Sequence, residues 1–250
     1  MDFEKLPKCF SQTVEVFQVS FDMVLVPGDE ARGIKPLYFG RKEVTWDEFL
    51  PWVYGKDVLP DTEEAVRLRV QRLRPSLPYG DITRGYGEKG YSALSMSRRS
   101  AELYCEWMSK QTGRKYRLPS EKEWEHLCRL GRRGKDGEPD EEEAKSTAVY
   151  KDTAWSQDAG ELRPKPGGSK KPDALGLYDV MGNLAEWVTA TGGDHVVRGG
   201  HFKSPRAELG QAGRLLEEDG SWDVEYAGAI KSLWWFVDAN WVGFRLVCEP

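Results

Sequence analysis

The segment from Gly176 to Trp187 constrains the fold of this chain more than any other, because its spacing fits neither a helix nor a strand. It reads Gly-Leu-Tyr-Asp-Val-Met-Gly-Asn-Leu-Ala-Glu-Trp. Asp179 and Glu186 lie seven residues apart, and a Gly-Asn pair supplies a bend between them. Carboxylates and the backbone carbonyls of a bent loop are the oxygen ligands that calcium uses. The segment therefore predicts either a calcium site or a Gly-Asn turn between two buried aromatic residues.

Tryptophan and glycine usage indicates a fold with much irregular backbone. The chain has 250 residues, among them 10 tryptophans, 26 glycines and 14 prolines. Large aromatic rings can then supply the burial that regular elements usually provide. This length is enough for one large or two small domains with a sizeable core. We expect loops to dominate over helices and strands.

Charge and hydropathy exclude two classes of partner. The chain has 36 basic and 41 acidic residues, and the basic ones are scattered, so nucleic acid is not expected to bind. No apolar run approaches the ~20 residues that cross a bilayer, so no membrane span is predicted. The first residues carry no signal-peptide core. We expect a soluble protein, exported if a leader precedes this sequence and cytoplasmic otherwise; the oligomeric state is left open.

Four cysteines are too widely spaced for a zinc knuckle or a redox dithiol, because no Cys-x-x-Cys pair occurs. They are Cys9, Cys105, Cys128 and Cys248. Structural thiols are the default interpretation, and one disulfide is open if the protein is exported.

Alternating polar and apolar residues predict strands near the N-terminus. Residues 12–27 have the pattern of a half-buried strand or hairpin, and residues 37–40 and 43–45 are predicted as short strands. Thr45 followed by Glu48 three residues later is typical of a capping box, so a helix is expected to begin there.

Two helices and a loop are predicted in the middle of the chain. Apolar residues at helical spacing follow Ser97, and Gly113 is placed to end that helix. A second helix is predicted from a capping box at Ser120 to Gly131. Residues 132–146 have almost no apolar side chains, so we expect them to form a solvated loop.

Several motifs, taken in chain order, resemble the formylglycine-generating enzyme family, also called the sulfatase-modifying factor domain. They are Tyr104-Cys-Glu-Trp107, Tyr116-Arg-Leu-Pro-Ser-Glu-Lys-Glu-Trp124, the segment 176–187, Arg198-Gly-Gly200 and Gly243-Phe-Arg245. The resemblance implies one compact α+β domain over residues 1–250, with its core at about 14–247. It also implies little regular secondary structure and a relationship to the C-type-lectin fold.

The resemblance favours the calcium site over the bare turn, because members of that family bind a structural calcium ion at this segment. Carried over by position, Asp179 and Glu186 would offer side-chain oxygens, and Gly182 and Leu184 would offer backbone carbonyls.

The same resemblance predicts that the copper chemistry of the family is absent. Family members that oxidise a sulfatase cysteine hold copper(I) with two cysteines after Arg-Gly-Gly, and thiolates are the natural ligands of this soft ion. The matching positions here are Ser204 and Leu209, and neither side chain can replace a thiolate. Copper-dependent formylglycine formation is therefore not expected.

Two functions remain open at this point. The first is a non-catalytic, calcium-stabilised module that binds a protein or glycan, since tryptophan and arginine contribute disproportionately to binding surfaces. Its predicted contact residues are Trp222, Trp234, Trp235, Asp238 and Asn240. The alternative is an enzyme with an altered active site that performs oxidation or another reaction on a peptide or small molecule. Its candidate catalytic residues are Ser204, His201 and Arg206.

Overall fold

The computed structural model describes residues 6–59, 62–71, 73–75, 80–132, 139–217, 222 and 237–250. The helices in these residues are α1 (Trp46–Val53), α2 (Glu63–Val70), α3 (Arg98–Thr112), α4 (Glu121–Gly131) and α5 (Glu141–Thr147). The strands are β1 (Cys9–Val14), β2 (Val19–Val26), β3 (Leu37–Gly40), β4 (Tyr116–Arg117), β5 (Trp155–Ser156), β6 (Glu161–Leu162), β7 (Ala185–Thr189), β8 (His195–Gly199), β9 (Gly210–Leu216), β10 (Val242–Gly243) and β11 (Val247–Cys248). Long loops connect these short elements in an α+β domain.

The first sheet has the order β1-β2-β3-β11-β4, with antiparallel neighbours throughout. The hairpin of β1 and β2 and the strand β3 confirm the expectations for residues 12–27 and 37–40. The prediction of a strand at residues 43–45 was wrong, because these residues lie in a loop before α1. Since β11 lies between β3 and β4, the C-terminal segment is held in the middle of a sheet that begins at the N-terminus.

Capping residues set the ends of the helices as the sequence predicted. Thr45 and Glu48 form a capping box at the start of α1. The Ser97 hydroxyl accepts a hydrogen bond from a backbone N–H of the first turn of α3, and Gly113 ends that helix in a left-handed conformation. Ser120 caps α4, which ends at Gly131. Both middle helices are therefore confirmed.

The expectation of a solvated loop over residues 132–146 was wrong from Glu141 onward, where α5 begins. The Asp140 carboxylate accepts a hydrogen bond from the Glu143 backbone N–H, which caps this short helix. Ala144 is fully buried and anchors it. A single small apolar residue gives too weak a periodic signal to be read from sequence.

The second sheet has the order β10-β7-β8-β9 and receives the end of the segment 176–187. This segment was predicted to be irregular throughout, whereas its last three residues belong to β7. The parallel pairing of β10 with β7 places Gly243 opposite Glu186. A bulge lies between Arg198 and Gly199, where β8 pairs with β9. This sheet therefore brings three of the family-like motifs together.

Tryptophan side chains fill the core, as the composition predicted. Trp46, Trp124 and Trp187 have no exposed surface, and Trp52 has 1%. In the described residues, no helix is long and apolar enough to cross a membrane.

The capping box of α1 predicts a pH-dependent stability. Burial raises the pKa of Glu48 to about 7, while hydrogen bonds from Thr45 oppose this rise. Because the pKa is raised on folding, this group's contribution to stability is fully present below the unfolded pKa and is lost as the pH rises through about 7. Glu48→Gln keeps a capping acceptor and cannot ionise. Wild type should lose stability between about pH 4 and pH 8, whereas the variant should not. We therefore expect the free energy of unfolding of Glu48→Gln minus that of wild type to rise by about 1–3 kcal/mol over this range.

Denaturant unfolding at several pH values measures this difference. Glu106→Gln, at an exposed position on α3, is the matched control. Parallel pH profiles for wild type and Glu48→Gln would contradict the assignment.

Candidate functional site

A buried ion pair between Arg245 and Glu186 lies at the centre of the segment 176–187. Both side chains are fully buried. The Arg245 Nε and Nη2 atoms donate to Glu186 Oε1 over 3.0 and 2.7 Å. The indole N–H of Trp124 donates to Glu186 Oε2 over 2.9 Å. Burial alone would lower the pKa of Arg245, but the attraction and hydrogen bonds of Glu186 raise it. Both oxygens of Glu186 are therefore engaged, one of them by a permanent cation.

Glu43 is a second buried carboxyl group beside this pair. It accepts hydrogen bonds from the Ser92 hydroxyl at 2.5 Å, the Asn183 side-chain amide at 2.7 Å and the Leu184 backbone N–H at 2.9 Å. Burial, and then the nearby carboxylates of Asp179 and Glu186, raise its pKa well above the usual range. Glu43 thus holds the Gly-Asn bend in place through the hydrogen bonds that it accepts from Asn183 and Leu184.

Of the three buried acids Glu43, Asp179 and Glu186, Asp179 accepts the fewest hydrogen bonds. It is 3% exposed and adopts a positive φ of 56°. Its Oδ2 accepts a hydrogen bond from the Gly168 backbone N–H at 2.7 Å. Its Oδ1 is buried and has no hydrogen-bond partner. Burial raises the pKa of Asp179 to about 6.

Among the four predicted calcium ligands, Glu186 is engaged by protein donors through both of its carboxylate oxygens. Calcium needs six to eight oxygens, whereas both oxygens of Glu186 already accept hydrogen bonds, and the Arg245 cation lies against one of them. Leu184 is buried, and its N–H is bonded to Glu43. A side chain at Gly182 would lie 2.3 Å from the Val149 carbonyl oxygen, so that glycine is required for close packing. Calcium at this segment stays a prediction from the resemblance.

The positions that match the copper-binding cysteines are both buried. Ser204 is 2% exposed, and its hydroxyl accepts a hydrogen bond from the His201 backbone N–H at 3.2 Å. Leu209 is completely buried. The four cysteines are free thiols: Cys9 is exposed, and the other three are buried. Burial raises the pKa of those three thiols, to about 12 for Cys128, so they are held as thiols rather than thiolates.

Near Ser204, aromatic residues from three segments form what we call the aromatic cluster: His201, Trp222 and Trp241. The His201 ring stacks on Trp241 with a centroid distance of 4.4 Å and an interplanar angle of 22°. Trp222 packs edge-on against Trp241 at 4.9 Å. Burial, and then Lys203, lower the pKa of His201 to about 4. His201 is therefore a neutral aromatic ring at neutral pH.

A chain of polar groups borders the aromatic cluster. The Lys203 ammonium donates to the Asn240 side-chain carbonyl over 2.7 Å, and the Asn240 amide donates to the Tyr86 hydroxyl over 2.9 Å. Lys203 is exposed and Asn240 is half-buried. The structure therefore brings the predicted residues His201, Trp222 and Asn240 together.

The remaining predicted site residues differ in their relation to the cluster. Asp238 lies beside it, because the Asp238 backbone N–H donates to the Trp222 carbonyl over 2.7 Å. Arg206 donates to the Pro139 carbonyl at 2.8 Å, just before α5. Asp238 pairs with Arg84 at 3.5 Å. Trp234 and Trp235 lie outside the described residues. Of the candidate catalytic residues, Ser204 bonds through its hydroxyl to the backbone N–H of His201 rather than to the His201 ring.

Residues 18–250 match the family described as the sulfatase-modifying factor enzyme 1-like domain. The chain belongs to this family. The resemblance drawn from its motifs is confirmed, as is the predicted fold. No curated protein gives a significant sequence match to this domain.

Three solved structures are similar to this sulfatase-modifying factor-like domain. "Treponema denticola variable protein 1" has 18% identity and a TM-score of 0.64, covering 98% of this chain and 100% of that one. PvdO from Pseudomonas aeruginosa has 20% identity and a TM-score of 0.58, with the same coverages. CarF has 18% identity and a TM-score of 0.57, covering 87% of each chain. At these identities the likeness shows the fold alone.

Sequence reasoning missed the residues that complete the buried ion pair and the polar border of the aromatic cluster. Arg245 belongs to the Gly-Phe-Arg motif, and it is the sole charge between Trp241 and Val247. A lone charge in an apolar stretch signals a buried partner. Lys203 and Tyr86 carried no such signal, because they reach Asn240 only through the tertiary fold.

Removal of the buried cation should destabilise the domain. We expect Arg245→Met to cost about 3–5 kcal/mol, because it leaves Glu186 buried and uncompensated. Adding Glu186→Gln should recover part of this loss, since an uncharged amide oxygen can still accept from Trp124. Arg214→Met, at an arginine that is 42% exposed and paired with Glu121, should cost less than about 1 kcal/mol. Denaturant unfolding measures all three. A loss for Arg245→Met no larger than the control would contradict the role of the pair.

Calcium titration decides between the resemblance and the geometry. Because Arg245 already neutralises Glu186, we expect calcium to leave the melting temperature and the calorimetric signal unchanged. A calcium-dependent rise in melting temperature that Asp179→Asn abolishes would contradict this expectation and establish the ion predicted from the resemblance. Asn tolerates the positive φ at this position, so the variant tests charge rather than backbone strain.

Proposed function

We propose that this chain is a non-catalytic binding module of its family, which holds a protein or glycan ligand on the aromatic cluster. The observation that carries the proposal is the convergence of His201, Trp222 and Trp241, three partly exposed rings from separate segments. Rigid aromatic surfaces lose little conformational entropy on binding and dominate many recognition sites.

The polar border of the cluster supports recognition by hydrogen bonding. Asn240 presents an amide between Lys203 and Tyr86, and such a group can both donate to and accept from a ligand. Lys203 adds an exposed positive charge that can meet a carboxylate or hydroxyl group. A neutral His201 stacked on Trp241 presents a flat face to an apolar part of a ligand.

The alternative of an altered enzyme has less support from the geometry. Ser204 is buried, and among the residues that the structure describes its hydroxyl bonds only to the His201 backbone N–H, which is a donor and not a base. His201 has a pKa of about 4, too low for an efficient general base near neutral pH. Arg206 is directed toward Pro139 instead of the cluster.

Substitution in the aromatic cluster should remove ligand binding. We expect ligands found on glycan and peptide arrays to lose at least about tenfold in affinity for Trp241→Ala and for Asn240→Ala, because contact residues of this kind contribute about 1–2 kcal/mol or more. Trp155→Ala removes a tryptophan that is 53% exposed on the β5–β6 hairpin and serves as the matched control. Binding measured by calorimetry and folding by thermal melts separate the two effects.

Two results would contradict the proposal. One is a set of array ligands that bind Trp241→Ala and Asn240→Ala with the same affinity as the wild type. The other is conversion of a Cys-x-Pro-x-Arg peptide to an aldehyde by the purified chain with copper(I) and oxygen, detected by mass spectrometry, since that result would show retained oxidase chemistry.

A further inference from the structure

The tautomer of His201 is fixed by the loop that carries it. The Lys203 backbone N–H donates a hydrogen bond to His201 Nδ1 over 3.2 Å. Because burial, and then the charge of Lys203, lower the pKa of His201 to about 4, the ring is neutral near pH 7 and holds one proton. With Nδ1 acting as an acceptor, that proton lies on Nε2. His201 therefore contributes an N–H donor to the aromatic cluster.

The aromatic cluster has N–H donors that the protein does not use. Among the residues that the structure describes, His201 Nε2 and the indole nitrogens of Trp222 and Trp241 have no hydrogen-bond partner. All three rings are partly exposed, and none of these nitrogens is among the unpaired polar atoms buried in the described part of the chain. A ligand on the cluster can therefore accept up to three hydrogen bonds from the rings.

The side-chain acceptors beside the aromatic cluster are already engaged. Asn240 Oδ1 accepts from the Lys203 ammonium at 2.7 Å, and the Tyr86 hydroxyl accepts from the Asn240 amide at 2.9 Å. The Asp238 carboxylate pairs with Arg84 at 3.5 Å. The surroundings of the cluster therefore favour a ligand that is rich in acceptors.

Lys203 carries a positive charge that no acid neutralises by direct contact. Its ammonium bonds to a neutral amide and forms no ion pair with any carboxylate that the structure describes. The two arginines at the polar border are each paired, Arg84 with Asp238 and Arg163 with Glu161 at 2.9 Å. The charge in excess at this border is therefore that of Lys203.

The Lys203 ammonium is held beside the aromatic rings. Its partner Asn240 immediately precedes Trp241, and His201 stacks on Trp241. The ammonium also lies 5.1 Å from the centroid of the Phe202 ring. These contacts place the charge at the edge of the stacked rings, where a ligand bound on the rings can reach it.

We propose that the ligand of the aromatic cluster is an acidic glycan, with a sugar carboxylate bound by Lys203. This inference rests on the binding function proposed above and names its ligand. Sugar hydroxyls can accept hydrogen bonds from the unused ring N–H groups, while the C–H face of a sugar packs against an aromatic ring. A peptide fits less well, because its backbone N–H groups need acceptors and the side-chain acceptors here are engaged.

Two matched probes test the charge of the ligand. Methyl β-D-glucuronide and methyl β-D-glucoside differ only in one group, a carboxylate in the first and a hydroxymethyl group in the second. Each is titrated into the whole chain at constant ionic strength, and nitrogen-resolved NMR follows the indole N–H signals of Trp222 and Trp241. We expect saturable shifts, with about fivefold higher affinity for the glucuronide. The signal of the exposed Trp155 is the internal control and should not move.

A charge-matched pair of variants assigns the preference to Lys203. Lys203→Gln removes the charge and keeps a donor for Asn240. It should weaken glucuronide binding about fivefold and leave glucoside binding unchanged, since one exposed charge pair contributes a factor of this size. Lys110→Gln removes the same charge from an exposed position on α3 and should change neither affinity.

Three results would overturn the acidic glycan: no shift with the glucuronide, equal affinity for the two probes, or equal losses in Lys203→Gln and Lys110→Gln. Larger shifts with acetyl-glutamyl-amide than with the glucuronide would also overturn it and would identify an acidic peptide. The wider binding function fails differently, because no array ligand would then lose affinity in Trp241→Ala or Asn240→Ala. Array ligands that do lose affinity there, without any shift from the glucuronide, would refute the acidic glycan alone.

Discussion

The Arg245 guanidinium lies at the junction of four parts of the chain. Besides Glu186 of β7, it donates hydrogen bonds to the carbonyls of Gly40, at the end of β3, and of Tyr178, in the segment that precedes β7. Glu186 in turn accepts from Trp124 of α4. Because the charges are fully buried, each of these contacts is costly to leave unmade. The two sheets and α4 are held in register by one ion pair between residues that are 59 positions apart in sequence.

This arrangement places a fixed positive charge, the Arg245 guanidinium, against Glu186, which the resemblance counts among the calcium ligands. Glu186 is neutralised by a side chain, and burial raises the pKa of Glu43. Ser204 and Leu209, the positions that the resemblance matches to the copper-binding cysteines, are both buried.

Local signals allowed much of the fold to be predicted from sequence. The caps at Ser97 and Ser120 and the glycine at 113 act within one helical turn, so the boundaries of α3 and α4 were predicted closely. The helix α5 was missed because only Ala144 anchors it. Candidate site residues were harder to predict, because His201, Trp222 and Trp241 meet only after distant segments have packed. Motif resemblance located the segment 176–187, but nothing in its residues showed that Arg245 would occupy its charged centre.

Hydrogen exchange of side-chain N–H groups tests the central claim most directly. The Arg245 Nε–H and the Trp124 indole N–H can be followed by nitrogen-resolved NMR in the folded protein. If the ion pair holds the fold together as described, both protons exchange only when the domain unfolds globally. Exchange of the Arg245 proton as fast as that of the exposed Arg214 would contradict the account.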